Sequence, residues 1–574
     1  MKKLSLLLMI FLFSQMTQAQ NNEGSYEILW KRVQKLESEA LTKSALQVVD
    51  SISAKAKKEK NSAQTIKALL YSSKYAMTLE EDAQLQIIND FKAEIEKAEV
   101  PTRNVLQSYL ANLYWQYFQQ NRHRFYDRTK TESKIDSTDF RTWDLTTIFE
   151  EINLHFQASL ENKNKLQEAD INDFKEIIDQ QPDSEVYRPT LFDILAHTAL
   201  QFYKTDENSI TRPSDKFEID NPEILCEAYE FTQQPIQTED ATSLQSKALI
   251  IYQELVQFHF PNPKLDALVD VDIDRLNYIH QNAIFPDKDE IFIEVLENSA
   301  ENIKQHEVSA LYRYEIARLF HTQGTTYDPK TNAENRWKQK EALELCETFI
   351  SQFPDSKGAE KCKALKSEIL APSMQLTVES HIPVNSPSRV LIDFKNFEQL
   401  QLRAYEVEQD QRKQLNNLYP EAKQLAFIQR LPMVKEWQTQ LKNENDYQHH
   451  STELLVPPME NGQYILLAIP LDSNGKKVAS GTFAFSALQV TDMALVETRT
   501  PTHYNYQVID RQNGEPMSEA ELKFTYLKNY NKPYLNKTLV SDKLGRVSIP
   551  LTDENWADIS VVVSHDNQKA YFGE

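Results

Sequence analysis

The stretch Ile369-Leu370-Ala371-Pro372-Ser373-Met374-Gln375-Leu376-Thr377-Val378 holds the change of rhythm that decides the fold. Upstream of it, apolar residues return at three- and four-residue steps, the period of a helix with one buried stripe. Downstream, Leu376 and Val378 open a two-residue alternation, the period of a strand with one buried face. The sequence therefore predicts a multidomain chain that is α first and β second.

The helical rhythm runs from Asn21 to Leu370. After Pro101, Leu106, Tyr109, Leu113 and Tyr117 form one stripe; after Pro189, Leu191, Leu195, Thr198 and Phe202 form another. Each proline is read at a first-turn position, where its missing N–H costs nothing. Ala342, Cys346, Phe349 and Phe353 make a further stripe, Phe353-Pro354-Asp355-Ser356 breaks it, and Ala359, Cys362 and Ile369 begin the return. That pair resembles a helical hairpin of tetratricopeptide type, without the strict period of such arrays. Residues 20–371 thus read as an irregular, TPR-like helical solenoid.

The alternation beyond Pro372 continues through Val390, Ile392 and Phe394, then Leu400, Leu402 and Ala404. A charged, helix-compatible stretch at about 410–443 interrupts it. Strands resume after Asn461-Gly462 with Tyr464 to Ile469, apolar on both faces and hence central, and Phe483 with Phe485 closes a first β-sandwich over 374–487. A second sandwich is read over 488–574, its completeness left open. Its strands carry Tyr504, Tyr506 and Val508, then Ala520, Leu522 and Phe524, then Val547 and Ile549, then Ile559, Val561 and Val563. The turn-rich segments Asp510 to Pro516 and Asp542-Lys543-Leu544-Gly545-Arg546 separate them.

Ahead of the helices, Lys2 and Lys3, the apolar run Leu4 to Phe13 and the small residues around Ala19 form a signal peptide over 1–19. An exported mature chain is expected, periplasmic or extracellular, and soluble. No lipid-attachment cysteine follows the apolar run, and no later segment is apolar enough to span a membrane. The formal charge of −22 becomes −24 without the two leader lysines. Such acidity argues against nucleic acid or anionic lipid as the main partner. The three cysteines, Cys226, Cys346 and Cys362, allow at most one internal disulfide and have no metal-ligand spacing, so all three are expected as buried core residues.

Chemistry-bearing patterns are few. Trp115, Tyr117, Phe118, Arg122, His123, Arg124, Phe125, Tyr126, Arg128 and Trp143 interleave aromatic and basic groups as a single-strand platform would. In so acidic a chain the expected role is structural, with arginines stacked on rings and paired to Asp127, Asp139 or Asp144. Asp270, Asp272 and Asp274 begin like a calcium loop, yet Arg275 and Gln281 stand where glycine and glutamate are needed, so a helix-capping role is expected instead. His306-Glu307 lacks the second histidine of a zinc-protease helix. Single acids such as Glu150 and Glu151 keep a hydrolase reading alive only weakly. No catalytic, cofactor-binding or metal residues are assigned, and the chain is expected not to be an enzyme.

The leader, the long helical region, and tandem sandwiches carrying Asp510 to Pro516 and Ser541 to Val547 resemble the start of a bacterial alpha-2-macroglobulin. Leu41 to Ala45, Tyr114 to Arg122 and Arg141 to Leu145 add to the likeness. The resemblance implies an exported, broad-spectrum endopeptidase inhibitor, a trap whose bait segment is cut and whose frame collapses on the attacker, sometimes with a Cys-Gly-Glu-Gln thioester. None of the three cysteines begins that motif: Cys226 precedes Glu227, Cys346 precedes Glu347 and Cys362 precedes Lys363. The expectation is therefore an N-terminal portion, with macroglobulin/Ig-like sandwiches, that meets target proteases through a longer protein extending beyond Glu574. The alternative is an exported solenoid and β-sandwich binding or assembly protein of the cell envelope, holding an envelope protein partner.

Overall fold

The computed structural model describes residues 25–81, 83–128, 136–178, 181–205, 216–472, 474–478, 481–528, 530–550 and 556–573. The segment 1–19, read from the sequence as a signal peptide, lies outside them. The chain forms two compact bodies, divided between Arg313 and Tyr314. The change of rhythm at Ala371 therefore falls inside the second body, and the helices just before it group with the sheets.

The first body is helical because its caps and apolar stripes agree. Ser25, Asn61, Asp144, Thr190 and Ser243 each accept a backbone N–H of the turn they precede, worth about 1 kcal/mol apiece. Trp30, Val33, Val49, Ile52, Ala68 and Tyr75 fill the seam between the helices Tyr26–Ser38, Thr42–Glu59 and Ser62–Leu79. The indole N–H of Trp30 donates to Gln64 Oε1 at 2.6 Å, so even its polar atom is satisfied in the core.

Helix Thr102–Gln120 departs from the one-stripe expectation. Leu106, Leu110, Tyr114 and Phe118 form a fully covered four-residue ladder, flanked by Val105 and the equally covered Ala111. Tyr109, Leu113 and Tyr117 form a second, half-buried stripe. The helix is apolar around most of its circumference, so a single stripe could not be singled out from spacing. Pro189 also differs from expectation: Thr190 caps helix Leu191–Tyr203 through a reciprocal pair with Asp193, which leaves Pro189 before the helix.

In the second body, helices Lys338–Gln352 and Lys357–Leu370 form the hairpin read from the sequence, with Ser356 capping the return helix. Fifteen strands follow among the described residues. The first eight are β1 (Ser373–Val378), β2 (His381–Ile382), β3 (Ser388–Lys395), β4 (Gln399–Glu406), β5 (Met433–Gln440), β6 (His450–Val456), β7 (Gly462–Leu471) and β8 (Ala484–Val490). They make one sheet of order β1-β3-β6 and another of order β2-β8-β7-β4-β5. Leu376, Val390, Ile392, Phe394, Leu400, Leu402, Leu454, Leu466 and Leu488 fill a core shared by both sheets. The remaining strands are β9 (Met493–Arg499), β10 (His503–Asp510), β11 (Glu521–Lys528), β12 (Asn531–Val540), β13 (Arg546–Pro550), β14 (Trp556–His565) and β15 (Gln568–Phe572). Their sheets, β13-β10-β9 and β12-β11-β14-β15, close on Tyr506, Val508, Leu522, Phe524, Val547, Val561 and Val563.

β7 is central, as its two apolar faces required. Tyr464, Leu466 and Ala468 face the core between the sheets, while Ile465, Leu467 and Ile469 face the other way, under helices Gln409–Asn416 and Glu421–Ile428 with Leu415 and Ile428. The stretch expected to stay helical through Asn443 instead ends its second helix at Ile428 and becomes β5. β5 is an edge strand paired, among the described residues, only with β4, and its Lys435, Glu436, Gln438 and Gln440 blunt that edge. Those same residues gave it a helix-like composition. Because both faces of β7 are packed, Leu466→Ala and Leu467→Ala should each destabilise the body by about 2–5 kcal/mol, measured by urea unfolding; a near-neutral Leu467→Ala would show that the inserted helices do not close the second face.

Candidate functional site

The aromatic and basic cluster flagged in the sequence is a folded knot. Tyr114 stacks on Trp143 and on His155, each at 5.8 Å, and meets the edge of Phe140 at 5.3 Å. Phe118 packs against Phe125 at 5.4 Å and Phe149 at 5.0 Å, and Trp115 against Phe118 and Phe202. Arg128 lies 4.8 Å over Phe125 and donates to the carbonyls of Arg141 and Trp143. Arg141 pairs with Asp139 at 2.8 Å, and Asp144 caps the next helix. Most of the rings pack on one another and Arg128 and Arg141 order the turn, while Arg122, His123, Arg124 and Tyr126 are exposed.

The three aspartates at 270, 272 and 274 sit within helix Asp266–Asn282 and do not cap it. A two-residue step rotates a helical side chain by about 200°, which sends Asp272 away from its neighbours. Asp272 is fully buried, pairs with Arg275 at 2.7 Å and accepts from Tyr312 Oη at 2.7 Å. Asp270 pairs with Arg188, and Asp274 accepts from Lys204 and Tyr252. His306 Nδ1 accepts the Val308 N–H in a turn. Glu150 is exposed, and Glu151 lies 3.5 Å from both Lys92 and His155. Cys346 and Cys362 are buried as expected, whereas Cys226 is only half-buried, its thiol pushed up to about 11 by burial. Among the described residues, no three His, Cys, Asp or Glu side chains gather as a metal site would require.

Sequence spacing missed a buried pair: His259 Nε2 lies 2.6 Å from Asp193 Oδ1, with both side chains covered. Only the Thr190/Asp193 capping box was legible locally; the histidine is 66 residues away. The hydroxyl of Thr190 donates to Asp193 Oδ2 at 2.7 Å, so it serves the cap and not the imidazole. Nearby, burial, with the charges of Arg188 and Lys204, pushes the His197 imidazole down to about 3. A cavity of about 280 Å³ opens among Leu70, Met77, Ile88, Phe91, Leu113 and Tyr117, rimmed by Lys74 and Gln120. It lies at the small end of ligand-site volumes and suits one large apolar side chain.

In the second body, polar contacts concentrate where the hairpin meets the first two-sheet module. Arg336 Nε donates to Asp446 at 3.0 Å, and Arg336 also pairs with Glu444. Gln448 Nε2 donates to Arg336 O at 3.1 Å, and His450 Nε2 lies 2.8 Å from Asp446. Asn396 Nδ2 reaches Ile369 O at 2.7 Å and Ala371 O at 3.2 Å. Burial alone would raise the Asp446 carboxyl, but hydrogen bonds from His450, the Gln448 N–H and Arg336 hold it below the usual range.

No family profile matches the sequence, and no curated protein matches it. Among solved structures the chain is similar to native alpha-2-macroglobulin from Escherichia coli spanning domains MG0-NIE-MG1, at 14% identity and a TM-score of 0.25, over 35% of this chain and 64% of that one. It is similar to the segment of the same protein spanning domains NIE-MG1 at 13% identity and a TM-score of 0.26, over 36% and 97%. A two-domain fibronectin type-III segment of chicken tenascin is similar at 7% identity and a TM-score of 0.15, over 35% and 99%. The chain thus spans less than two thirds of the first of these structures. No helix among the described residues is long and apolar enough to cross a membrane.

One device, read in the sequence only as the turn at Asp542 to Arg546, is repeated. Asp472 and Asp542 each accept two backbone N–H groups on Oδ1, from Asn474 and Lys476 and from Leu544 and Arg546. In both turns the glycine three residues on, Gly475 or Gly545, has positive φ and donates to the aspartate carbonyl. The signal was an Asp, then Gly-Lys or Gly-Arg at the third and fourth positions, recurring once per module. Two outcomes are expected of these sites. Arg336→Met should cost about 1–3 kcal/mol and speed amide exchange in helices Lys338–Gln352 and Lys357–Leu370, with β10 and β13 unchanged. His197 stays neutral in the fold and takes a proton only on unfolding, so stability should fall as pH drops from about 6.5 toward 3, by at most ~1.4 kcal/mol per pH unit. Urea midpoints between about pH 7 and pH 5 should show this slope flattened in His197→Phe.

Proposed function

We propose that this chain is the N-terminal portion of an exported protease trap of the alpha-2-macroglobulin kind, a broad-spectrum endopeptidase inhibitor and not an enzyme. Its TPR-like helical region and two macroglobulin-type sandwiches act as frame, while the bait and any thioester belong to other residues of the protein. The observation that carries this reading is the order of parts: a helical preface, then two consecutive two-sheet modules joined without a linker and tied by side chains. Asn461 bridges the modules, donating to Val490 O and Lys569 O and accepting the Lys569 N–H at 2.9 Å. Gln489 accepts the Tyr571 N–H at 2.8 Å, and His381 stacks on Phe572 at 5.5 Å. Bonds of this kind keep successive modules from swivelling.

The test is inhibition by steric enclosure. The protein encoded by the whole gene should block several endopeptidases from a large protein substrate while sparing a small chromogenic peptide, and these 574 residues alone should leave cleavage of both unchanged. Inhibition by these residues alone, or a gene encoding no further modules, would sink the reading. The cavity beside Met77 favours a second reading, an envelope binding protein. That reading expects one partner captured by the chain and lost with Met77→Glu, with added proteases without effect.

A further inference from the structure

Cys346 and Cys362 are fully buried on the facing sides of the hairpin formed by Lys338–Gln352 and Lys357–Leu370. They stand eight residues before and eight after Pro354, so the antiparallel helices bring them to the same level, with Leu343 and Leu365 paired one turn farther from the bend. Ala342 and Ala359, both fully covered, allow the helices to approach closely. Both are free thiols in the structure and lie in one buried cluster, where each other's presence drives Cys346 up and Cys362 down while burial opposes ionisation of either. Ala317, Leu343, Leu365 and Ile369 surround them, and no carboxylate or imidazole joins them in a metal cluster among the described residues. Cys226 belongs to the other body, where its thiol faces Ile224 O at 3.9 Å.

We propose that Cys346 and Cys362 form a disulfide that staples the two helices of the last hairpin to each other, leaving Cys226 as the single free thiol. The oxidant is a disulfide-bearing molecule of the small-thiol or oxidoreductase class. The Cys362 thiolate attacks one sulfur of that disulfide and expels its partner as a thiol. The Cys346 thiolate then attacks Cys362 Sγ and expels the second half. Two electrons pass to the oxidant, and the two protons lost by the cysteines end on the two released thiols. Because both sulfurs are covered in the closed hairpin, exchange occurs before the helices close or during their local opening. The bond would close a short loop through Pro354, and its anchor is well placed: Asn396 holds the carbonyls at the end of the second helix, and Tyr447 packs against the same cluster. This inference does not depend on the trap reading.

The full chain, prepared with its leader from the oxidising envelope of a bacterial host and separately from a reducing cytosol followed by oxidised glutathione, is unfolded in N-ethylmaleimide and weighed. One maleimide per chain, on Cys226, with the Cys346 and Cys362 peptides linked, is expected in either preparation, rising to three after dithiothreitol. Cys226→Ser should then take none before reduction. Three maleimides in both preparations, or any link through Cys226, would overturn the assignment. Amide exchange over residues 338–370 should slow in the oxidised chain relative to the reduced one, a readout that does not require the cysteine variants to fold.

Discussion

A single buried carboxylate, Asp446, is the constraint on which the second body depends. It lies in a loop before β6, out of contact with solvent, and a bare charge there would cost several kcal/mol. Arg336, His450 and the backbone N–H of Gln448 all converge on it, and Gln448 returns a bond to the Arg336 carbonyl. The guanidinium comes from the segment before the hairpin, the imidazole from the first residue of β6. Satisfying one charge therefore fixes the helices against the module, where apolar packing alone would leave them free to slide. Asn396, at positive φ, does the same for the other end of the hairpin by holding the carbonyls of Ile369 and Ala371.

That arrangement changes what the switch at Ala371-Pro372 means. Periodicity reports local geometry, and it placed the change from helix to strand correctly. Compactness is decided by which surfaces share a core, and there the last hairpin sides with the sheets: Cys346, Cys362 and Ile369 cluster with the half-buried Tyr447 of the Asp446 loop. A boundary drawn from rhythm therefore marks a change of secondary structure and not a place where the chain could be cut into independently folding parts.

Legibility followed the same division between local and distant information. Strands with one buried face, such as Val390-Leu391-Ile392-Asp393-Phe394 and Tyr504-Asn505-Tyr506-Gln507-Val508, announced themselves because alternation is enforced by the pleat. β5 did not, since an edge strand turned to solvent carries the charged residues a helix would also accept. The Asp270, Asp272 and Asp274 run was read as capping because acids cluster at helix starts, yet Asp270 and Asp274 pair with Arg188 and Lys204 far along the chain, and Asp272 pairs with Arg275 one turn on and accepts from the distant Tyr312. Cys346 and Cys362 were legible as core residues, but their direct juxtaposition needs the hairpin register, which only the turn at Pro354 supplies.

The paired Asp-to-Gly turns show how one local device can be held by different physics in two modules. At Gly475 the backbone requires φ of +73°, and a side chain there would meet open space. The demand is conformational alone. At Gly545, with φ of +72°, a Cβ would collide with the carbonyl of Val508 and crowd the backbone of Met517. Val508 N donates to Gly545 O and Met517 N donates to Val508 O, so the turn is laced directly onto a core strand of the second module. The same five-residue pattern is thus a hairpin convenience in the first module and a packing element in the second. Its recurrence follows from the economy of the aspartate, whose one carboxylate oxygen satisfies two backbone donors that the tight bend would otherwise orphan.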